Sequence, residues 1–387
     1  GNWFFHRFRD DSGAGGEDAV NVGAIILAAG YSSRMDAYKP LLPLGNTNAV
    51  CRCVALFAAS GIAEILVVTG YRAEALEEAL VASPCRTVRN PDFDSGMFSS
   101  VRVGVQSLHA GCDAFFVLPV DIPLVRPATI RLLLENFTGS TVLFPLFEEK
   151  RGHPPLIPCC YREAIANYSG AGGLRTLLDR FPAQDILVWD AGVVYDMDVP
   201  GQYQELAQMY LRQAVGTRSE ARALARHYMS ESGIAHGEAV AEVACCLGRA
   251  LNSKGYQLDM DILYNAGLLH DIAKGQKQHA RAGAELLASL GLSGLVEAVF
   301  FHNECDVPED AKCTEKDLVC LADKLVSGCN RVTIAERFAQ TFQCYGDDKE
   351  VARIIKRRQD NALQLQALVE SQACRSVAEI LGRKKIS

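Results

Sequence analysis

The hydrophobic pattern of this 387-residue chain changes once, near residue 200, and that change limits the folds open to it. From Val22 to about Asp198, short apolar runs (IILAA, EILVVTG, DAFFVLPV, STVLFPL and ILVWDAGVVYDMDV) alternate with helix-like segments at Ala49–Ser60, Arg72–Ala82 and Thr129–Phe137. Strands alternating with helices predict an α/β three-layer sandwich around a mostly parallel sheet, Rossmann-like in organisation. After Gln202 the strand signal disappears. Segments 201–213, 219–231, 236–252, 259–273, 278–290, 293–302, 315–329, 331–343 and 348–371 all read as helical. Thr217 followed three residues later by Glu220 has the pattern of a capping box opening the second of these. The expected organisation is a flexible leader over 1–20, an α/β domain over 21–212 and an all-α domain over 213–387 that ends in a solvated RKKIS tail.

Charge and cysteine usage narrow the setting. With 39 basic against 46 acidic side chains and no long Lys/Arg run, the chain is not built as a nucleic-acid scaffold. No apolar stretch approaches the roughly 20 residues needed to cross a bilayer. The start, GNWFFHRFRDDSGAGGEDAVN, lacks the apolar core and small-residue cleavage site of a secretion signal. The 14 cysteines contain no CxxC pair and no zinc-finger spacing, so they are expected as reduced thiols in a cytoplasm, most serving as small core residues.

The apolar run Val22–Leu27 opens into LAAGYSSRMDAYK, residues 27–39. A strand leading into a Gly-containing polar loop lets backbone N–H groups approach a polyphosphate, and Arg34 and Lys39 would neutralise it. Taken alone, such a loop also fits an ordinary strand-to-helix turn. The pattern LAAGxSxRMxxxK, however, resembles the nucleotide-binding loop of the MobA-like nucleotidyltransferases, which attach CMP or GMP to molybdopterin. The chain departs from that family at Asp36, where Gly is usual. The resemblance continues over 22–205 through VVTGYR (Val67–Arg72), NPDFDSGMFSS (Asn90–Ser100), LPVDIP (Leu118–Pro123), RGHP (Arg151–Pro154), GAGGLRTLL (Gly170–Leu178) and DMDVP (Asp196–Pro200).

The resemblance implies nucleotide binding by Leu27, Ala28, Ala29, Gly30, Ser32, Ser33, Arg34, Lys39, Thr69, Gly70, Gly96, Ser99 and Ser100. It further implies Mg²⁺ held by Asp121 and Asp198, with Arg34, Lys39 and Asp121 as the catalytic groups. Nucleotidyl transfer explains the carboxylates: attack on an α-phosphate concentrates negative charge on the transferring centre and on pyrophosphate, and a metal held by one or two carboxylates offsets it. Ala28-Ala29-Gly30 resembles the CTP-using members of the family.

In the second half, His270 and Asp271 lie in LLHDIAKG at the end of an apolar helix, where neighbouring imidazole and carboxylate can face one metal ion. The segment resembles the HD-domain phosphohydrolases, whose H…HD…D pattern falls here on His236, His270, Asp271 and Asp323. His279 and His302 extend it to the subset holding two metals, and Lys274 occupies the place of the family's phosphate-facing lysine. The resemblance implies Fe, Mn or Zn, one or two ions, and hydrolysis of a phosphate ester or anhydride.

Together these readings predict a bifunctional cytoplasmic enzyme, a molybdenum cofactor cytidylyltransferase joined to a metal-dependent phosphohydrolase. Its expected partners are CTP, molybdopterin and a molybdenum hydroxylase apo-enzyme, with no nucleic acid and no membrane. Alternative readings have CMP passing to a sugar or alditol phosphate, the HD half sensing nucleotide as a regulatory module, or the first half handing cofactor to a target enzyme as a chaperone.

Overall fold

The run AFFVLP at Ala114–Pro119 is apolar throughout and completely buried, as a strand covered on both faces must be. In the computed structural model, which describes residues 20–33, 35, 37–305, 307, 312–345 and 348–382, it pairs in parallel with the central strand Val22–Leu27. On the other side of Val22–Leu27 lie Glu64–Thr69 and then Arg86–Arg89, both parallel. Beyond Ala114–Pro119 come the short antiparallel Leu156–Pro158, then Val142–Phe147 and the edge strand Ala183–Leu187, completing an eight-stranded mixed sheet with Lys150–Arg151 paired at one end. Leu27 stands opposite both Val68 and Pro119, so the three central strands stop at one level and their following loops meet above it.

Alternation along Val22–Leu27 divides the core. Val22, Ala24 and Ile26 pack with the helices Ala49–Ala59 and Pro127–Glu135, while Ile25 and Leu27 pack with Met97–Ser107 and Arg162–Asn167. Helices on both faces give the expected three-layer sandwich. ILVWDAGVVYDMDV was expected as one strand. Only Ala183–Leu187 pairs. Asp190 accepts from the Gly192 N–H and starts the 3-10 turn Ala191–Val193, which ends the extended run.

The C-terminal half is helical around its own core, with one correction. Residues 315–329 were expected as a single helix, but Glu315–Lys324 ends there, and Val326–Ser327 and Asn330–Arg331 form a small antiparallel hairpin around the left-handed Gly328. The capping box at Thr217 and Glu220 opens Arg218–Tyr228 as expected. The cysteine expectation also fails at one point: Cys305 and Cys320 are disulfide-bonded. Spacing along the chain could not indicate this pair. The fold sets Cys305 beside Cys320 of the helix Glu315–Lys324, with Cα atoms 5.8 Å apart. No described helix is long and apolar enough to cross a membrane. The expected leader (except Val20), Arg34, Asp36 and the RKKIS tail lie outside the described residues.

The two halves meet through buried charge. Arg126, at the start of Pro127–Glu135, lies over the Trp189 ring, 3.9 Å from Asp190 and 3.4 Å from Glu220 of the helical half. Burial pushes the Asp190 carboxyl up to about 6 against the pull of Arg126. The native state therefore holds this proton more tightly than the unfolded chain, and the stability it contributes is lost as pH rises through 6. The unfolding free energy of the wild type relative to Asp190→Asn is expected to fall by about 2 kcal/mol between roughly pH 4.5 and 7 in urea titrations.

Candidate functional site

The loop after Val22–Leu27 is closed by its own backbone. Ser32 takes a left-handed conformation, its carbonyl accepts from the Met35 N–H, and its hydroxyl accepts from the Lys39 N–H at 3.0 Å. Ala28 and Ala29 are tied to the next strand, Ala28 N–H donating to Val68 and Tyr71 N–H donating to Ala29. Leu27, Ala28 and Ala29 are buried, while Gly30 and Ser33 are exposed at the loop tip. The buried Lys39 donates from Nζ to Asp198 at 2.6 Å and stands 3.7 Å from Asp121. Three residues far apart in sequence thus share one spot above the strand ends. Met197 N–H donates to the Asp121 carbonyl and sets the Asp196–Asp198 segment alongside. Burial raises the Asp121 carboxyl above its ordinary value, opposed by Lys39 and reinforced by Asp198 and Asp196. Crowded, part-buried carboxylates of this kind suit a hard divalent cation, so the donor set fits Mg²⁺.

Thr69 is buried and its hydroxyl lacks a hydrogen-bond partner. Gly70 follows it, packed against Phe93 and Ala29. Gly96 is left-handed and exposed; the Ser99 and Ser100 hydroxyls both accept from the Asn90 amide, at 2.8 and 3.0 Å. Tyr31 was not singled out from sequence. It is half exposed, bonds the Asp94 carboxylate and packs against Tyr71 and Phe93, with ring centroids 5.0 and 5.3 Å away. An aromatic residue in an otherwise polar loop was the available signal.

In the helical half, close backbone approach builds the second centre. A Cβ on Gly237 would lie 2.3 Å from the Leu268 carbonyl, and one on Gly267 2.8 Å from the Ala241 Cα, so Glu231–Asn252 and Met260–Leu269 cross nearly in contact. The crossing brings His236 to His270. Gly237→Ala is expected to lower unfolding free energy by about 3 kcal/mol in urea titrations and to reduce bound metal.

His236, His270 and Asp323 offer ligand atoms within 4.8 Å of one another, and so do Asp271, His279 and His302. Main-chain carbonyls fix three imidazoles: Nδ1 of His236, His270 and His302 bonds Gly328, Gly267 and Val299. Their Nε2 atoms are left to face the carboxylates. Nε2 of His270 is buried without a hydrogen-bond partner, 3.5 Å from Asp323 and 3.7 Å from Asp271. An orphaned imidazole nitrogen among carboxylates fits a transition metal. Burial disfavours charged His270, but Asp323 and Asp271 outweigh it and hold its pKa above the ordinary value. Burial also works against ionised Asp271, yet His302, His270 and Lys274 hold that carboxyl well below the usual range. Lys274 donates to Asp271 at 2.6 Å from a largely exposed position.

Two neighbours were missed from sequence. The buried Lys324 donates to the second oxygen of Asp323 at 2.6 Å, and Asn303 lies 3.1 Å from Nε2 of His279. Each directly follows a recognised residue, which was the available signal.

Comparison with known proteins finds two family models on separate parts of the chain. The family described as MobA-like NTP transferase domain matches residues 24–185, and the HD domain matches 233–328. Nicotine blue oxidoreductase of Paenarthrobacter nicotinovorans is 31% identical over 177 residues, 43% of this chain and 86% of that protein. Molybdenum cofactor cytidylyltransferase of Escherichia coli (strain K12) is 26% identical over 193 residues, 49% of this chain and 97% of that protein. Among solved structures, a nucleotidyl transferase from Methanothermobacter thermautotroptrophicus aligns with a TM-score of 0.45 and 25% identity, covering 50% of this chain and 99% of its own.

Proposed function

Because the chain belongs to the MobA-like NTP transferases and carries an HD domain behind that half, we propose that it transfers CMP from CTP to molybdopterin and hydrolyses a phosphate ester or anhydride at a second centre. The observation that carries the first activity is Lys39 set between Asp121 and Asp198 at the mouth of the phosphate loop. An oxygen of the acceptor phosphate attacks the α-phosphorus of CTP, a new P–O bond forms, and the bond to the β-phosphate oxygen breaks to release pyrophosphate. The nucleophile is already ionised, so the protein positions groups and offsets charge and needs little acid–base work. Lys39 neutralises the triphosphate and the charge growing on pyrophosphate, while Asp121 and Asp198 would hold Mg²⁺. When bound, that ion supplies further neutralisation of the phosphate oxygens. Arg34, from the same loop, is assigned beside Lys39 on the sequence motif.

Ala28-Ala29-Gly30 and the likeness to a molybdenum cofactor cytidylyltransferase favour CTP and molybdopterin over a sugar or alditol phosphate acceptor. A molybdenum hydroxylase apo-enzyme would receive the product. Pyrophosphate release from a panel of nucleoside triphosphates, with molybdopterin as acceptor, tests this choice: CTP should lead, and preference for GTP or ATP would contradict it.

In the HD half, His236, His270 and Asp323 would hold one metal, and Asp271, His279 and His302 another, Fe, Mn or Zn. Such ions supply an activated water at neutral pH. Lys274 stands at the rim, where its ammonium draws a substrate phosphate to the centre and keeps Asp271 ionised. The unpartnered Nε2 of His270 carries the metal reading, and the complete ligand set with Lys274 weighs against a purely sensing role.

A further inference from the structure

A side chain of the helical half holds a segment that leads to the transferase site. The chain from Trp189 to Asp198 forms a strap on the α/β half, pinned at several points. At its start, Asp190 accepts from the Arg126 N–H and the Thr129 hydroxyl, both at 2.7 Å. The Ala191 N–H donates to Glu220 Oε1 at 3.2 Å, and the Arg126 guanidinium stands against that oxygen and the Trp189 ring. Midway, the Val193 carbonyl accepts from the His153 N–H at 2.8 Å. At its end, Met197 N–H bonds the Asp121 carbonyl and Asp198 receives Lys39.

Glu220 belongs to the other half. It lies on Arg218–Tyr228, which packs into the helical core, and its second oxygen accepts from Thr217 N–H at 2.7 Å. With 3% of its surface exposed, this carboxylate has little water to turn to, so its protein partners fix its position. One side chain thus closes its own helix and, at Ala191, holds the strap that carries Asp198 seven residues on.

We propose that Glu220 is a positioning residue of the nucleotidyl-transfer site, through which the helical half sets the register of Asp196–Asp198 against Asp121 and Lys39. Arg126 is its counter-ion from the α/β side. The inference rests on the assignment of Asp121 and Asp198 to the transfer reaction. It makes that activity depend on a residue outside the transferase fold, and it gives the two centres a physical link: a strap and a buried ion cluster rather than a flexible tether.

The test compares full-length wild type, Glu220→Gln and Glu220→Ala. Glu220→Gln keeps an oxygen for one of the two backbone donors, Ala191 N–H or Thr217 N–H, and removes the charge, so it is milder than Glu220→Ala. Amide hydrogen exchange over 190–198 is expected to quicken about tenfold in Glu220→Ala and less in Glu220→Gln, with the central strands unchanged. In the transfer assay, kcat should fall about tenfold and half-saturating Mg²⁺ should rise several-fold, while KM for CTP stays within about twofold. Metal content of the HD centre should not change, which reports that the helical half is folded. Unchanged exchange over 190–198 in either folded variant would overturn the inference. So would exchange that rises equally throughout the sheet, since that describes general loosening. A wild type that transfers no nucleotide would remove the reading of Asp121 and Asp198 and leave hydrogen exchange to decide the role of Glu220.

Discussion

Asp121→Asn is expected to lower the rate of CMP transfer about a thousandfold, with the protein still folded. The substitution preserves shape and the backbone carbonyl that accepts from Met197, so the strap keeps its register. What disappears is one of the two carboxylates facing Lys39. Asp198 then remains beside the Lys39 ammonium, which offsets its charge. Too little negative charge remains to hold a hard cation that keeps its waters reluctantly. The loss should appear in kcat, because the offset charge develops mainly in the transition state. Steady-state kinetics at saturating CTP, with circular dichroism as the folding control, measures it. A loss below about tenfold would move the metal carboxylate elsewhere, and Asp196 would be the next residue to examine.

His270→Ala is expected to empty the HD centre. His270 stands between the two groups, its free nitrogen within 4 Å of a carboxylate from each, so its removal weakens both. It also leaves Asp323 and Asp271 buried with fewer cationic or metal partners, a condition that costs stability. Elemental analysis after gel filtration should show bound transition metal falling at least about tenfold relative to wild type. Hydrolysis of phosphate esters and anhydrides should vanish with it, and CMP transfer should persist. Metal content equal to wild type would remove the HD assignment of this residue. Loss of both activities together would point to misfolding of the whole chain.

Much of the architecture was legible because burial leaves regular marks. Ala114–Pro119 reads as a strand because a short, unbroken apolar run with paired aromatics between polar turns suits a strand covered on both faces. The helices Ala49–Ala59 and Pro127–Glu135 follow from period and flanking residues, and Thr217 with Glu220 announces the cap of Arg218–Tyr228. Features made by contact between distant segments were not legible. The Trp189–Asp198 strap has the apolar content of a strand, but Asp190 turns it by accepting from Gly192 N–H, and its other partners are 64 and 61 positions away. Cys305 and Cys320 meet through the fold and not through spacing.

The candidate site residues divide in the same way. Asp121, Lys39, His270 and Asp271 sit at element ends in recognisable local words, and the structure brings each to its centre. Glu220 and Tyr31 meet partners that no local word names, whereas Lys324 pairs with its chain neighbour Asp323. Glu220 reads from sequence as a helix cap, which it is, and its second task appears only once Ala191 and Arg126 are beside it.

The central claim is the chemistry of the first centre, and its most direct measurement is the product. Wild-type protein incubated with labelled CTP, Mg²⁺ and molybdopterin should yield a CMP–molybdopterin conjugate and one pyrophosphate for each conjugate formed. Consumption of a different nucleotide, or label transferred to a sugar phosphate and not to the pterin, would contradict it.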